Sequence, residues 1–158
     1  PGYGRIVLDN YQLKAGDLLI IVNAYGMNAA TIDAALYAKE LGLTTIGICS
    51  FEHANQTPEN HPARHPSKKN LQDIVDISID SKIKVGDAVI EIEGQQQKVG
   101  PVSTFTNAFI LNNITIEATR ILAEQNIEPP IWKSGNATGG DEWNNQFISR
   151  FKNKIKHL

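Results

Sequence analysis

The chain has 158 residues and a formal charge of −2, enough length for one domain with a real core and no basic excess to attract a nucleic-acid backbone. Its longest apolar run, Leu18 to Val22, is far too short to cross a bilayer, so no membrane partner is expected. The single cysteine, Cys49, excludes an internal disulfide and is in keeping with a reducing cytoplasm.

The opening GYGRIVLDNYQL reads as the tail of a helix offering Ile6, Val7 and Tyr11 to a core, ahead of a turn at Lys14 to Asp17. A chain that starts inside such a pattern, at Pro1, leads us to expect a preceding portion: the sequence reads as a fragment, a processed product or one half of a split protein. Leu18 to Val22 reads as a strand ending in a polar, glycine-bearing turn, Asn23 to Asn28. Ala29 to Leu41 carries a helical stripe (Ile32, Ala35, Leu36, Leu41) stopped by Gly42, and Thr45 to Cys49 is a second strand. Strand, crossover helix and parallel strand form the unit that binds ligands at its strand tips. There the turn aims backbone N–H groups and the positive end of a helix dipole at whatever sits above.

Phe51 to Lys69 reads as a long polar loop with His53, His61 and His65. Asn70 to Val75 is a short helical turn, and Asp76 to Asp80 a third strand of the kind found at sheet edges. Between Gly86 and Gly94, Val89, Glu91 and Glu93 alternate with Ala88, Ile90 and Ile92, which predicts a half-buried extended segment. Ser103 opens a long helix to about Gln125. It is apolar on more than one face and is expected to be sandwiched against its own sheet and a second subunit. Pro129-Pro130 breaks the chain, and Gly139-Gly140-Asp141 introduces a last helix with Trp143, Phe147, Phe151 and Ile155 at four-residue spacing.

The fold expected is α/β: a doubly wound, mostly parallel sheet flanked by helices. Its N-terminal strands would precede Pro1, and residues 103–158 would be a helical extension of a single domain. An open edge on the first strand would need cover, from a separate N-terminal fragment or a partner subunit.

Five segments match a known pattern in the same order. Asn23 to Asn28 corresponds to S-N-S-G-R-N, Arg64 to Lys69 to R-H-x-S-G-K, and Gly86 to Gly94 to G-D-A-V-x-E-I-E-G. Lys98 to Thr106 corresponds to K-V-G-P-x-S-T-x-T, and Gly139 to Asn144 to G-G-D-E-H-N. The chain thereby resembles, from about Gly2 to its end, a bacterial branch of the sugar isomerase (SIS) domain family of phosphosugar or phosphoheptose isomerases. The resemblance implies a flavodoxin-like sheet, a homodimer or larger assembly, a preceding glycine-containing phosphate loop, and a sugar phosphate or sugar derivative as ligand. Asn23, Tyr25, Gly26 and Asn28 would bind the substrate, opposite Ser103 and Thr104. The sequence departs from the pattern where Asn23 and Tyr25 replace two serines, Met27 an arginine and Trp143 a histidine. A neutral or singly charged sugar derivative is the alternative ligand.

Aldose–ketose isomerisation needs a base between adjacent carbons and an acid/base for ring opening, with no metal or cofactor. His65, in the family-like stretch, suits such work through its near-neutral pKa, or else orders its loop. Glu91 and Glu93, two apart on an extended segment, face one way. They either line a cleft, where mutual repulsion raises one pKa, or form a solvated face. Ser103 and Thr104 at a helix start suit an anion or a sugar hydroxyl, or serve as caps. The leading expectation is a sugar-phosphate isomerase; the alternative is a non-catalytic sugar-derivative sensor. A nucleotide-binding protein has least support, since the first turn lacks both GxGxxG and a Walker lysine.

Overall fold

The structure, a computed structural model, describes residues 2–156 and 158. Its elements in order are α1 (Tyr3–Leu8), β1 (Leu18–Val22), α2 (Ala29–Glu40), β2 (Thr44–Cys49), α3 (Phe51–Gln56), a 3-10 turn (Leu71–Asp73) and β3 (Ile77–Asp80). After these come β4 (Ala88–Ile90), β5 (Val99–Pro101), α4 (Ser103–Glu124) and α5 (Gly140–Phe151). The chain divides into two compact units, Pro1–Asn112 and Asn113–Leu158.

In the first unit β1, β2 and β3 form a parallel sheet in that order, with Ile20 beside Ile46 and Ile46 beside Ile77. This is the α/β architecture with a parallel sheet flanked by helices that the sequence predicts, and β1 is an edge strand. Both connections cover the same face. Ile32 and Ala35 of α2 meet Cys49, Leu71 of the 3-10 turn, and the half-buried Ile21, Ile74 and Val75. Each fully buried Ile or Leu there contributes roughly 1.5–3 kcal/mol. Alternation turns Leu18, Ile46 and Ile77 to the other face, where Leu18 and Ile77 are exposed. Helix α2 ends as Gly42 predicts. Gly42, at φ 74°, donates to the Lys39 carbonyl, and Leu43 donates to that of Ala38, the paired bonds of a Schellman stop.

Four local expectations are corrected. In α1 the buried residues are Gly4 and Leu8, while Ile6, Val7 and Tyr11 are exposed. The reason is Gly4: a Cβ there would lie 2.4 Å from the Ala34 nitrogen and 2.5 Å from the Ala30 carbonyl oxygen, so glycine lets α1 rest directly on the α2 backbone. The polar stretch after Cys49 opens with a helix, α3, because Ser50 Oγ accepts from the His53 N–H and caps it. The alternating segment after Gly86 is one arm of an antiparallel hairpin, with Ala88 opposite Pro101 and Ile90 opposite Val99, and both arms are largely exposed. Helix α4 buries none of its residues within the chain, so the cover expected from its own sheet is not there.

In the second unit Phe147 of α5 is buried, its ring 5.4 Å from Trp132 and 6.2 Å from Trp143. The Trp143 indole N–H donates to the Ile131 carbonyl at 2.8 Å, and the Asn144 amide bonds both backbone groups of Lys133. Both tryptophans are thus engaged in local packing.

Candidate functional site

The turn after β1 closes on itself. Asn23 extends the ladder by donating its N–H to the Ile48 carbonyl, and its side-chain Oδ1 accepts from the N–H groups of Tyr25 (3.0 Å) and Gly26 (2.7 Å). Two backbone donors that the sequence reading aims at a ligand are therefore held by an Asx turn. Gly26 is obligatory: its φ is 67°, and a Cβ would sit 2.6 Å from Cys49 Sγ. Its carbonyl accepts from Leu71, that of Met27 accepts from His65, and Asn28 bridges to Arg64. The turn is thus stitched to residues 64–71, and Met27 is buried beneath it.

His65 lies in that seam, 9% exposed. Its Nδ1 accepts the Ser67 N–H at 3.0 Å, which leaves the proton on Nε2 to be donated to Asp33 Oδ1, also at 3.0 Å. Burial pushes the Asp33 carboxyl up. The Gly2 N–H, which donates to Oδ2, and the His65 ring outweigh it, and the net pKa is lowered. Arg64 is committed to its own loop. Its guanidinium donates to the carbonyls of Ala54, Thr57 and Pro58 and to Asn70 Oδ1.

His53 stands differently. Its ring lies 4.0 Å from that of Tyr25, tilted by 31°, so the pair bridges the tips of β1 and β2. Thr57 Oγ1 gives its proton to the His53 carbonyl at 2.8 Å and so accepts from Nδ1–H at 3.1 Å. That assigns the Nδ1–H tautomer and turns the Nε2 lone pair away from this local network. Burial lowers the pKa of His53; its own backbone carbonyl opposes this, His61 and Arg64 add to the lowering, and Asp87 opposes it more weakly.

The other sequence candidates fall into two groups. Glu91 follows β4 and is paired with Lys98 at 2.8 Å, which holds its pKa below the ordinary carboxylate value. This is opposite to the rise that repulsion from Glu93 would produce. Glu93 sits in the hairpin turn, and both carboxylates line a hollow of about 340 Å³ formed by residues 91–98, to which the strand tips contribute nothing. Ser103, the first residue of α4, is occupied by Asp87. Oδ1 of Asp87 accepts from the N–H groups of Val102 (3.0 Å) and Ser103 (2.7 Å), and Oδ2 from the Ser103 hydroxyl (2.5 Å). Thr104 is exposed. The structure thus brings Asn23, Tyr25, Gly26, Asn28 and His65 into one neighbourhood, with Glu91 and Glu93 in another.

Asp33 and Asp87 carry no site role in the sequence reading, nor does His53, which enters it only as one of three loop histidines. Asp33 had a usable signal as the only acid amid the small and apolar residues of Ala29 to Leu36. Asp87 is the aspartate of the matched segment Gly86 to Gly94, but its partners lie 15 and 16 residues on, so the segment does not show what it holds. Among the described residues no three His, Cys, Asp or Glu side chains converge as a metal site, and no helix is long and apolar enough to cross a membrane.

The family profile described as SIS domain matches residues 1–50, which cover β1, the Asn23–Asn28 turn, α2 and β2. The chain is 39% identical to a UPF0309 protein of Streptomyces coelicolor over 98% of its own length and 60% of that relative. It is 36% identical to UPF0309 proteins of Oceanobacillus iheyensis (99% of this chain, 62% of the relative) and Caldanaerobacter subterraneus (98% and 62%). The chain therefore spans about three-fifths of the length of the curated relatives it matches.

Proposed function

Since residues 1–50 match the SIS-domain profile, we propose that the chain supplies the sugar-derivative-binding surface of a phosphosugar isomerase that interconverts an aldose and a ketose. The observation that carries this reading is the convergence of the Asn23–Asn28 turn with residues 64–71 and α3 at the C-terminal tips of a parallel sheet, where ligands of open α/β sheets bind. Asn23, Tyr25, Gly26 and Asn28 form the floor for the ligand, with the exposed Thr104 as a further hydroxyl donor; the Ser103 hydroxyl is already given to Asp87. Of the proton-transfer candidates that the sequence supplies, His65 lies beside this floor, while Glu91 and Glu93 lie in the hairpin hollow. The family implies a homo-oligomer, and the exposed Phe105 and Ile116 of α4 offer the apolar surface such an assembly uses. Burial pushes the Cys49 thiol up to about 12, so it stays protonated and is no candidate nucleophile.

A second reading, a non-catalytic sugar-derivative sensor, is favoured by a different observation. Asn23 Oδ1 fills the donors of the first turn, and Asp87 fills those at the start of α4, so an anionic phosphate finds fewer open N–H groups. Incubation with C3 to C7 aldose phosphates in deuterated water separates the two. Deuterium at C2 is the outcome expected of an isomerase. A thermal shift with the same compounds and no deuterium incorporation makes the chain a sensor.

A further inference from the structure

We propose that His53, stacked on Tyr25 at the tips of β1 and β2, is the group that moves the carbon-bound proton, with Nε2 as its acceptor atom. The inference rests on the isomerase reading above and names its base. A general base needs a lone pair directed at the ligand space and a ring held in one tautomer. Both ring nitrogens of His65 are spent, on Ser67 and Asp33, and the residue is buried. Glu91, paired with Lys98, and Glu93 both line the hairpin hollow, to which no residue of the strand tips contributes. His61 is exposed and accepts the Ala63 N–H through Nδ1.

Among the described histidines His53 alone combines a fixed Nδ1–H with an Nε2 that no described group engages. Thr57 holds Nδ1–H, so the Nε2 lone pair is the basic one. Tyr25, rising from the substrate turn, fixes the ring plane at 4.0 Å. The charges acting on the ring are the positive Arg64 and the titratable His61 from the following loop, and the negative Asp87 that also holds Ser103. The lowered pKa keeps the imidazole neutral, hence basic, at neutral pH.

In the step, the C2 proton of the open-chain aldose passes to Nε2. The C–H electron pair becomes the C1=C2 bond, and the carbonyl π pair moves to O1. The proton then returns from Nε2 to C1 as the O2 hydroxyl proton passes to O1, which leaves a ketose and a neutral imidazole. Atoms and electrons balance with no co-reactant.

Two measurements test this. Nitrogen-15 shifts of the imidazoles in the full chain are expected to give His53 as the Nδ1–H tautomer with a pKa under 6.5; an Nε2–H tautomer overturns the proposal. In the deuterium exchange with C3 to C7 aldose phosphates, His53→Gln is expected to lose about 100-fold or more of the wild-type rate. Thr57→Val keeps the imidazole and releases its tautomer, so a smaller loss of about 10-fold is expected; this variant decides the matter if His53→Gln does not fold. Wild-type exchange with both variants within threefold of it overturns the role of His53 and leaves the isomerase reading standing. A wild type that exchanges nothing overturns the isomerase reading, and this proposal with it.

Discussion

Along the α1–α2 seam backbone approaches backbone, whereas α4, nearly twice as long as α2, buries none of its residues. The seam is made of small residues. Gly4 rests over Ala30 and Ala34, and Asp33 reaches back to the Gly2 N–H and across to His65. Helix α4 carries the larger apolar side chains, yet Phe105 is 75% exposed and Ile116 61%. Apolar content says that a surface should be covered. It does not say by what, and close approach depends on what is absent from a side chain as much as on what it holds.

The seam breaks most easily at Gly4. The atoms that a new Cβ would strike are the Ala34 nitrogen and the Ala30 carbonyl oxygen, which cannot move without shifting α2 itself. Gly4→Val is expected to destabilise the fold by roughly 3 kcal/mol, at the upper end of typical overpacking. A urea midpoint within experimental error of wild type would mean that α1 is not packed on α2 in solution.

A weaker attack on the same region is acid. Asp76 ties α2 to the sheet, its carboxylate accepting from Lys39 of α2 and from the N–H and hydroxyl of the fully buried Thr45 in β2. The Lys39 bond first, then the two from Thr45, lower the Asp76 pKa from 3.8 to about 2. A depressed carboxylate stabilises the fold in full above its unfolded value, near 4, and ceases to do so as pH falls through about 2. The melting temperature of the wild type should therefore drop across this window by more than that of Asp76→Asn, which has no such proton to take up. Parallel slopes would remove Asp76 from the linkage.

The contrast also marks what could be read from the residues. The β1–turn–α2–β2 unit was legible because each signal is local: an apolar run, an i, i+3, i+4 stripe, and Gly42 in the left-handed conformation that stops α2. Helix α3 was hidden because FEHANQ is polar and acquires its shape from the Ser50 cap where β2 ends. The hairpin was hidden because alternation predicts an extended segment but not its partner, and Val99 pairs with Ile90 across a turn of polar residues. The site divides the same way. The Asn23–Asn28 turn announces itself through Gly26, whereas the locks on His65 and Ser103 come from Asp33 and Asp87, distant in sequence. The base proposed here, His53, lies in the helix that the sequence had concealed.

The smallest effect on stability belongs to α4, and there the comparison is sharpened. If the face bearing Phe105 and Ile116 contributes nothing to the chain's own packing, Phe105→Gln with Ile116→Gln should change unfolding free energy by no more than about 0.5 kcal/mol, as for ordinary surface sites. The same pair should weaken self-association in sedimentation velocity if that face meets a second copy, because desolvating a phenylalanine and an isoleucine drives association as it drives folding. A loss of stability near that of Gly4→Val, at a concentration where the wild type is monomeric, would instead make the face part of the monomer's core. Helix and seam would then differ in the size of their side chains and not in what they hold together.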